Sequence, residues 1–167
     1  NHLKQIGLGW LNHESAHGYL PSSGWGWRWH GEPDRGFGAN QPGGWSFDIL
    51  SFMEESGITN LGSGLTGADR EKAMIIAAQT PVPVFSCPSK REMIPYPMVR
   101  GGGFLAHNLQ SCRQGSCAVV RADYQANSGN VAVGETAGPP ANTVEPPNPY
   151  DNRWNGVTHH VSELRLG

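Results

Sequence analysis

Over the first 17 residues, apolar side chains recur at three- and four-residue intervals: Leu3, Ile6, Trp10 and Leu11. That stripe predicts an amphipathic helix over residues 1–17, closed by Gly18 as a C-cap and kept from resuming by Pro21. No capping residue opens it, so the helix is expected to continue upstream of Asn1. In "WSFDILSFMEESG", apolar residues at 45, 49, 52 and 53 predict a second short helix ended near Gly57. "ADREKAMIIAAQT" predicts a third, with an acidic first turn, Met74 to Ala78 as its buried part and Pro81 as its stop.

The rest of the pattern is shorter in range. "VPVFSC" has the composition of a strand, although Pro83 removes a ladder donor. Beyond Val99 the chain is mainly loop, with strand-like "CAVVRADYQAN" and "NVAV" inside it. "WNGVTHHVSELRL" alternates, which predicts a strand with Val157, His159 and Val161 on one side. Residues 22–44 carry turn chemistry in "GEPDRG" and "QPGG", and "GPPANTVEPPNP" has the makeup of an extended surface connection. There is no internal repeat and no heptad pattern.

Composition narrows this picture. The chain has 167 residues with 23 Gly and 13 Pro, and charged residues make up 16% of it, against roughly a quarter in an average domain. A loop-rich fold follows, and six Trp with dispersed apolar runs supply a core. One domain over 1–167 is expected. The formal charge of −2 gives no electrostatic reason to expect nucleic acid as a partner. No apolar run reaches the ~18 residues of a membrane span. The opening at Asn1 without a Met suggests a cut point, with any anchor or targeting segment lying upstream.

Candidate chemistry is sparse. "HESAH" places His13 and His17 around Glu14 in the H-E-x-x-H spacing of a zinc hydrolase. Gly18 and Pro21 end the helix directly after His17, however, and Leu20 and Ser23 stand where the extended motif wants Gly and His. Glu54 or Glu55 could serve as a third ligand, but nothing singles out either. His13 and His17 are therefore rejected as a metal site, and no metal or cofactor is expected. In "GWGWRWHG", the alternation of Trp25, Trp27 and Trp29 would put three rings on one face of an extended segment. Such a row could stack on sugars or other flat ligands, or plug a core. His159 and His160, as neighbours on a strand, would face opposite ways.

"SCRQGSC" sets Cys112 and Cys117 five apart around a Gly, a spacing that can close a small disulfide loop; two free thiols are the other reading. Cys87 would be left over, either buried or paired with chain outside this sequence. The sequence contains no G-x-S-x-G elbow, P-loop or dinucleotide fingerprint. "RGGGF" reads as loop. No catalytic set emerges, and the chain is expected not to be an enzyme.

Several segments together carry a family resemblance. "NHLKQIGLGWLNHESAHGYLP", "GWGWRWHGEPDRGFGANQPGGWSFDILSFMEE", "QTPVPVFSCPSKRE", "RADYQANSGN" and "WNGVTHHVSELRL" resemble, in this order, a large bacterial family of secreted pilin-like proteins. Its members begin with a prepilin-type cleavage and methylation segment, and its older label is solute-binding protein family 10, a domain of unknown function. The resemblance implies an α+β, pilin- or pseudopilin-like fold: an N-terminal helix packed on a small antiparallel sheet, with long Gly/Pro-rich loops. It also implies that a membrane helix before Asn1 and closing strands after Gly167 are missing here. It implies an exported, periplasmic or cell-surface protein, anchored in the inner membrane by that missing helix. Its partners would be copies of itself or other pilin-like subunits, in a type II secretion or type IV pilus-like system. An extracellular solute- or glycan-binding module using the Trp-rich face is the alternative.

Overall fold

The computed structural model describes residues 1–99, 103–130, 136–147 and 155–166. Four helices and four strands stand among them: α1 (His2–His17), α2 (Trp45–Asp48), α3 (Ser56–Thr59), α4 (Gly67–Gln79), β1 (Tyr96–Pro97), β2 (Phe104–Ala106), β3 (Leu109–Arg113) and β4 (Ala118–Val119). The strands form two small antiparallel sheets, β1 with β4 and β2 with β3. The protein is α+β, with an N-terminal helix and small antiparallel sheets.

Helix α1 ends where Gly18 takes a left-handed φ of 79° and its N–H bonds the Glu14 carbonyl at 2.7 Å. Only a residue without a Cβ does this at no steric cost. The predicted apolar stripe divides between two faces. Ile6 is buried and Trp10 packs against the same core, whereas Leu3 (68% exposed), Leu8 (49%) and Leu11 (52%) point outward. Gly9 lies against Ile49 and Met53, so close that an added Cβ would stand 3.3 Å from both. That approach seats α1 on the 3-10 turn Leu50–Met53 and on a second such turn at Pro83–Phe85. The strands have α4 as their principal helical neighbour.

Three predicted elements differ from what is observed. The helix expected over residues 45–57 is divided into α2, the Leu50–Met53 turn and α3, and Glu54, at a left-handed φ of 63°, separates that turn from α3. "VPVFSC" is a 3-10 turn and not a strand: Pro83 opens it, its fixed φ suiting a helical first position. Residues 155–166 form no strand. They run beside residues 20–24, with Ser23 N–H bonding His159 O, Val161 N–H bonding Gly24 O and Leu20 N–H bonding Leu164 O. A turn closed from Ser162 N–H to His159 O, with Val161 at a φ of 54°, breaks the alternation. "CAVVRADYQAN" contributes only Ala118–Val119, and "NVAV" beyond Asn130 lies outside the described residues.

Three apolar clusters result. Ile6, Ile49, Leu50, Val82, Val84 and Phe85 form the core beneath α1. Met74 and Ala106, Leu109, Cys112 and Cys117 form another between α4 and the strands. Trp25, Trp29 and Val161 make the third. The carboxylate of Glu32 ties these regions together, accepting from Arg35 Nε (2.9 Å), Arg70 (3.1 Å) and Asn108 Nδ2 (3.0 Å).

Candidate functional site

The end of α1 places His13 and His17 in an aromatic box. Their ring centroids are 4.7 Å apart, and Phe37, Phe52 and Tyr19 surround them. His13 is fully buried and its Nδ1 pairs with the Tyr19 carbonyl at 3.0 Å. Both Nε2 atoms are buried without a hydrogen-bond partner among the described residues. Burial lowers the pKa of His13 to about 4, and lowers that of His17 as well. Both rings are therefore neutral at neutral pH, and they pack as core. No group of three or more His, Cys, Asp or Glu that could hold a metal occurs among the described residues.

The three alternating indoles do not share a face. Trp25 is fully buried and Trp29 nearly so, their rings T-shaped at 4.9 Å, while Trp27 is 53% exposed. The cause lies in the backbone: Gly26 at a φ of 147° and a turn from Trp29 N–H to Gly26 O destroy the extended alternation. Trp25 Nε1 donates to Ala39 O and Trp29 Nε1 to Pro139 O, so both buried indoles are satisfied. Trp27 instead carries the Arg28 guanidinium over its face, 5.0 Å from the ring centre.

Trp27 stands on the wall of two cavities. One, of about 290 Å³, is largely apolar and runs between α4, β4 and the Trp-rich turn, lined by residues such as Phe47, Ala77, Val82 and Leu105. The other, of about 280 Å³, is lined by Trp27, Trp45 and Tyr124 together with Ser23, Ser46, Gln125, Ser128, His159 and His160. Gly44 and Ser46 also border both. The order of residues along the chain gives no sign of this grouping. Trp45 begins α2, and Tyr124 follows Asp123, which accepts from Cys87 N–H and pairs with Lys90 and Arg91.

Cysteine chemistry is divided between two places. Cys112 and Cys117 are joined by a disulfide with Cα atoms 5.2 Å apart, stapling β3 to the start of β4. Cys87 is a free, half-buried thiol. A hydrogen bond from Ser89 Oγ at 3.3 Å is the main cause that lowers its pKa. A buried acid that sequence reasoning missed is Asp48: one oxygen accepts from Ser22 N–H, the other has no partner among the described residues, and desolvation raises its pKa well above the usual carboxylate value.

The remaining feature is the outer face of α1. Leu3, Leu8 and Leu11 fall within one side of the helix at 100° per residue, opposite the face that holds Ile6, Gly9 and His13. A helix with apolar residues on both faces has one of them left without cover. No helix among the described residues is long and apolar enough to cross a membrane.

A family model described as "Protein of unknown function (DUF1559)" matches residues 1–162 of the chain. No curated protein and no solved structure matches it.

Proposed function

The chain belongs to this DUF1559 family of proteins of unknown function, and we propose that it is a non-enzymatic, exported, pseudopilin-like structural protein. In this reading it is a surface or filament component of a type II secretion or type IV pilus-like system. One observation carries it: α1 buries one face against the core, while Leu3, Leu8 and Leu11 stand exposed on the opposite face, among polar residues such as Lys4 and Ser15. Water-facing leucines on successive turns of one helix are costly unless another helix covers them. The occupant that fits is the corresponding helix of a neighbouring subunit. Where that face meets a different face of the neighbour's helix the contact is heterologous, and its repetition head to tail builds an open helical filament. A hydrophobic segment N-terminal to α1 would root each subunit in the inner membrane before assembly.

Electron microscopy of the full-length, processed protein tests this. Filaments or membrane-associated assemblies are expected, and Leu3→Asp/Leu11→Asp should abolish them while leaving the circular dichroism of the head unchanged. Persistent monomers, with no membrane or filament association, would overturn the proposal.

A second reading, an extracellular solute- or glycan-binding module, is favoured by the exposed indole of Trp27 between two cavities. It does not exclude the first, because the cavities lie away from the outer face of α1.

A further inference from the structure

We propose that the groove lined by Trp27, Trp45 and Tyr124 binds a neutral saccharide, with a pyranose ring laid against an exposed indole face. This inference rests on the second reading and gives it a site and a ligand class.

Three observations converge on it. The first is the state of the indole N–H groups. The buried indoles of Trp25 and Trp29 each donate to a backbone carbonyl. Trp27 and Trp45, which face the groove, make no such bond with any described residue, and neither does the hydroxyl of Tyr124. Aromatic residues with a free polar edge present one apolar surface and one donor together. A sugar ring presents the complement: a face of C–H groups with hydroxyls around its rim.

The second observation is the makeup of the remaining wall. The side chains of Ser46, Gln125 and Ser128 make no hydrogen bond with described residues, which leaves a hydroxyl, an amide and a second hydroxyl facing the space. Among the described residues no Asp, Glu, Lys or Arg lines it, and the Arg28 guanidinium, over one face of Trp27, leaves the other face of that indole for a ligand. The nearby cations Lys90 and Arg91 are engaged by Asp123. A charged ligand would therefore lose its hydration with only the His159 and His160 imidazoles on the wall and Arg28 beside Trp27 as possible counter-charges. A polyol exchanges water hydrogen bonds for protein ones at little cost.

The third is rigidity. Trp45 is wedged between Trp10 (5.9 Å) and Phe85 (5.7 Å, edge-on), and Tyr124 packs against the core beneath α1. Rings held in place before the ligand arrives lower the entropic cost of binding. The volume of about 280 Å³ lies at the small end of ligand sites, ~300 Å³, which suits a short stretch of sugar and not a large cofactor.

The test is calorimetric and fluorescence titration of the full chain with four probes: chitotriose and maltotriose as neutral saccharides, trigalacturonate as an acidic one, and anilinonaphthalene sulfonate as an apolar one. At least one neutral trisaccharide is expected to bind, with affinity falling roughly tenfold or more in Trp27→Ala. Gln125→Ala, at an exposed position, serves if Trp27→Ala fails to fold, and should weaken binding by about fivefold. Wild-type affinity in both folded variants would overturn the groove as the site. Trp27-dependent binding of only the acidic or the apolar probe would overturn the saccharide class while leaving the binding-module reading standing. Silence from all four probes would overturn both.

Discussion

His13 Nδ1 sits 3.0 Å from the carbonyl oxygen of Tyr19, across the turn that ends α1. The contact fixes the tautomer: Nδ1 carries the proton and donates, leaving Nε2 as an unprotonated, buried nitrogen without a partner among the described residues. Desolvation is the main cause that lowers the pKa of the ring from 6.5 to about 4; the bond to Tyr19 works against it, and His17 adds to it. The unfolded chain therefore takes up a proton between these values that the native ring refuses. The contribution of His13 to stability is complete above about pH 6.5 and is lost as pH falls toward 4. It is on the order of 3 kcal/mol at full extent.

Asp48 works in the opposite direction. Its raised pKa favours the native state at low pH, an advantage lost as pH rises through the native value. The expected result is thus a difference measurement. Urea midpoints of wild type and His13→Asn, whose amide can still donate to Tyr19 O, should diverge between pH 4 and 7, with the wild type showing the steeper loss on acidification. Parallel profiles would mean that His13 titrates normally.

What the sequence displayed, and what it hid, follows the range of the interaction. Helices α1 and α4 were legible because a local period and a local stop, Gly18 or Pro81, define each of them. The inward face of α1 was not legible from spacing. Leu3 and Leu11 fit the same 3–4 spacing as Ile6 and Trp10, and only the position of Ile49 and Met53 against Gly9 decides which side is covered. Single backbone outliers defeated three expectations: Glu54 broke a helix, Gly26 broke the indole row and Val161 broke a strand. A positive φ at Glu or Val has no sequence signal, since both residues disfavour it. The groove was invisible for another reason. Trp27, Trp45 and Tyr124 meet only through the tertiary fold, and no periodicity links them.

Cys112 and Cys117 close a loop of five residues' separation. A loop that short restricts the unfolded chain by roughly 2 kcal/mol. Replacing both with Ala should lower stability by about that amount in chemical denaturation, both sulfurs lying buried in the α4–strand cluster. Addition of dithiothreitol should reproduce the loss in the wild type and do nothing further to the double variant. Equal stability of oxidised and reduced wild-type protein would contradict this.

Gly18 and Gly24 separate two costs that are usually measured together. Both hold left-handed backbones, at φ of 79° and 71°. An added Cβ at Gly18 meets nothing within 4 Å, so Gly18→Ala should cost only the conformational strain, about 1 kcal/mol. At Gly24 the same methyl would be driven against the Pro42 carbonyl and stand 2.7 Å from the Gly43 carbon, in rigid backbone on both counts. Gly24 O also accepts from Val161 N–H, and Trp25 N–H donates to Pro42 O, so any shift that relieves the clash strains the seam that binds residues 155–166 to the Trp-rich turn. Gly24→Ala should therefore cost about 3 kcal/mol or more, and amide hydrogen exchange at Val161 should accelerate in that variant but not in Gly18→Ala. If the two substitutions proved equally mild, the contact between residues 24 and 42–43 would have to be looser than the structure shows, and the ordering of the Trp27 groove beside it would lose its support.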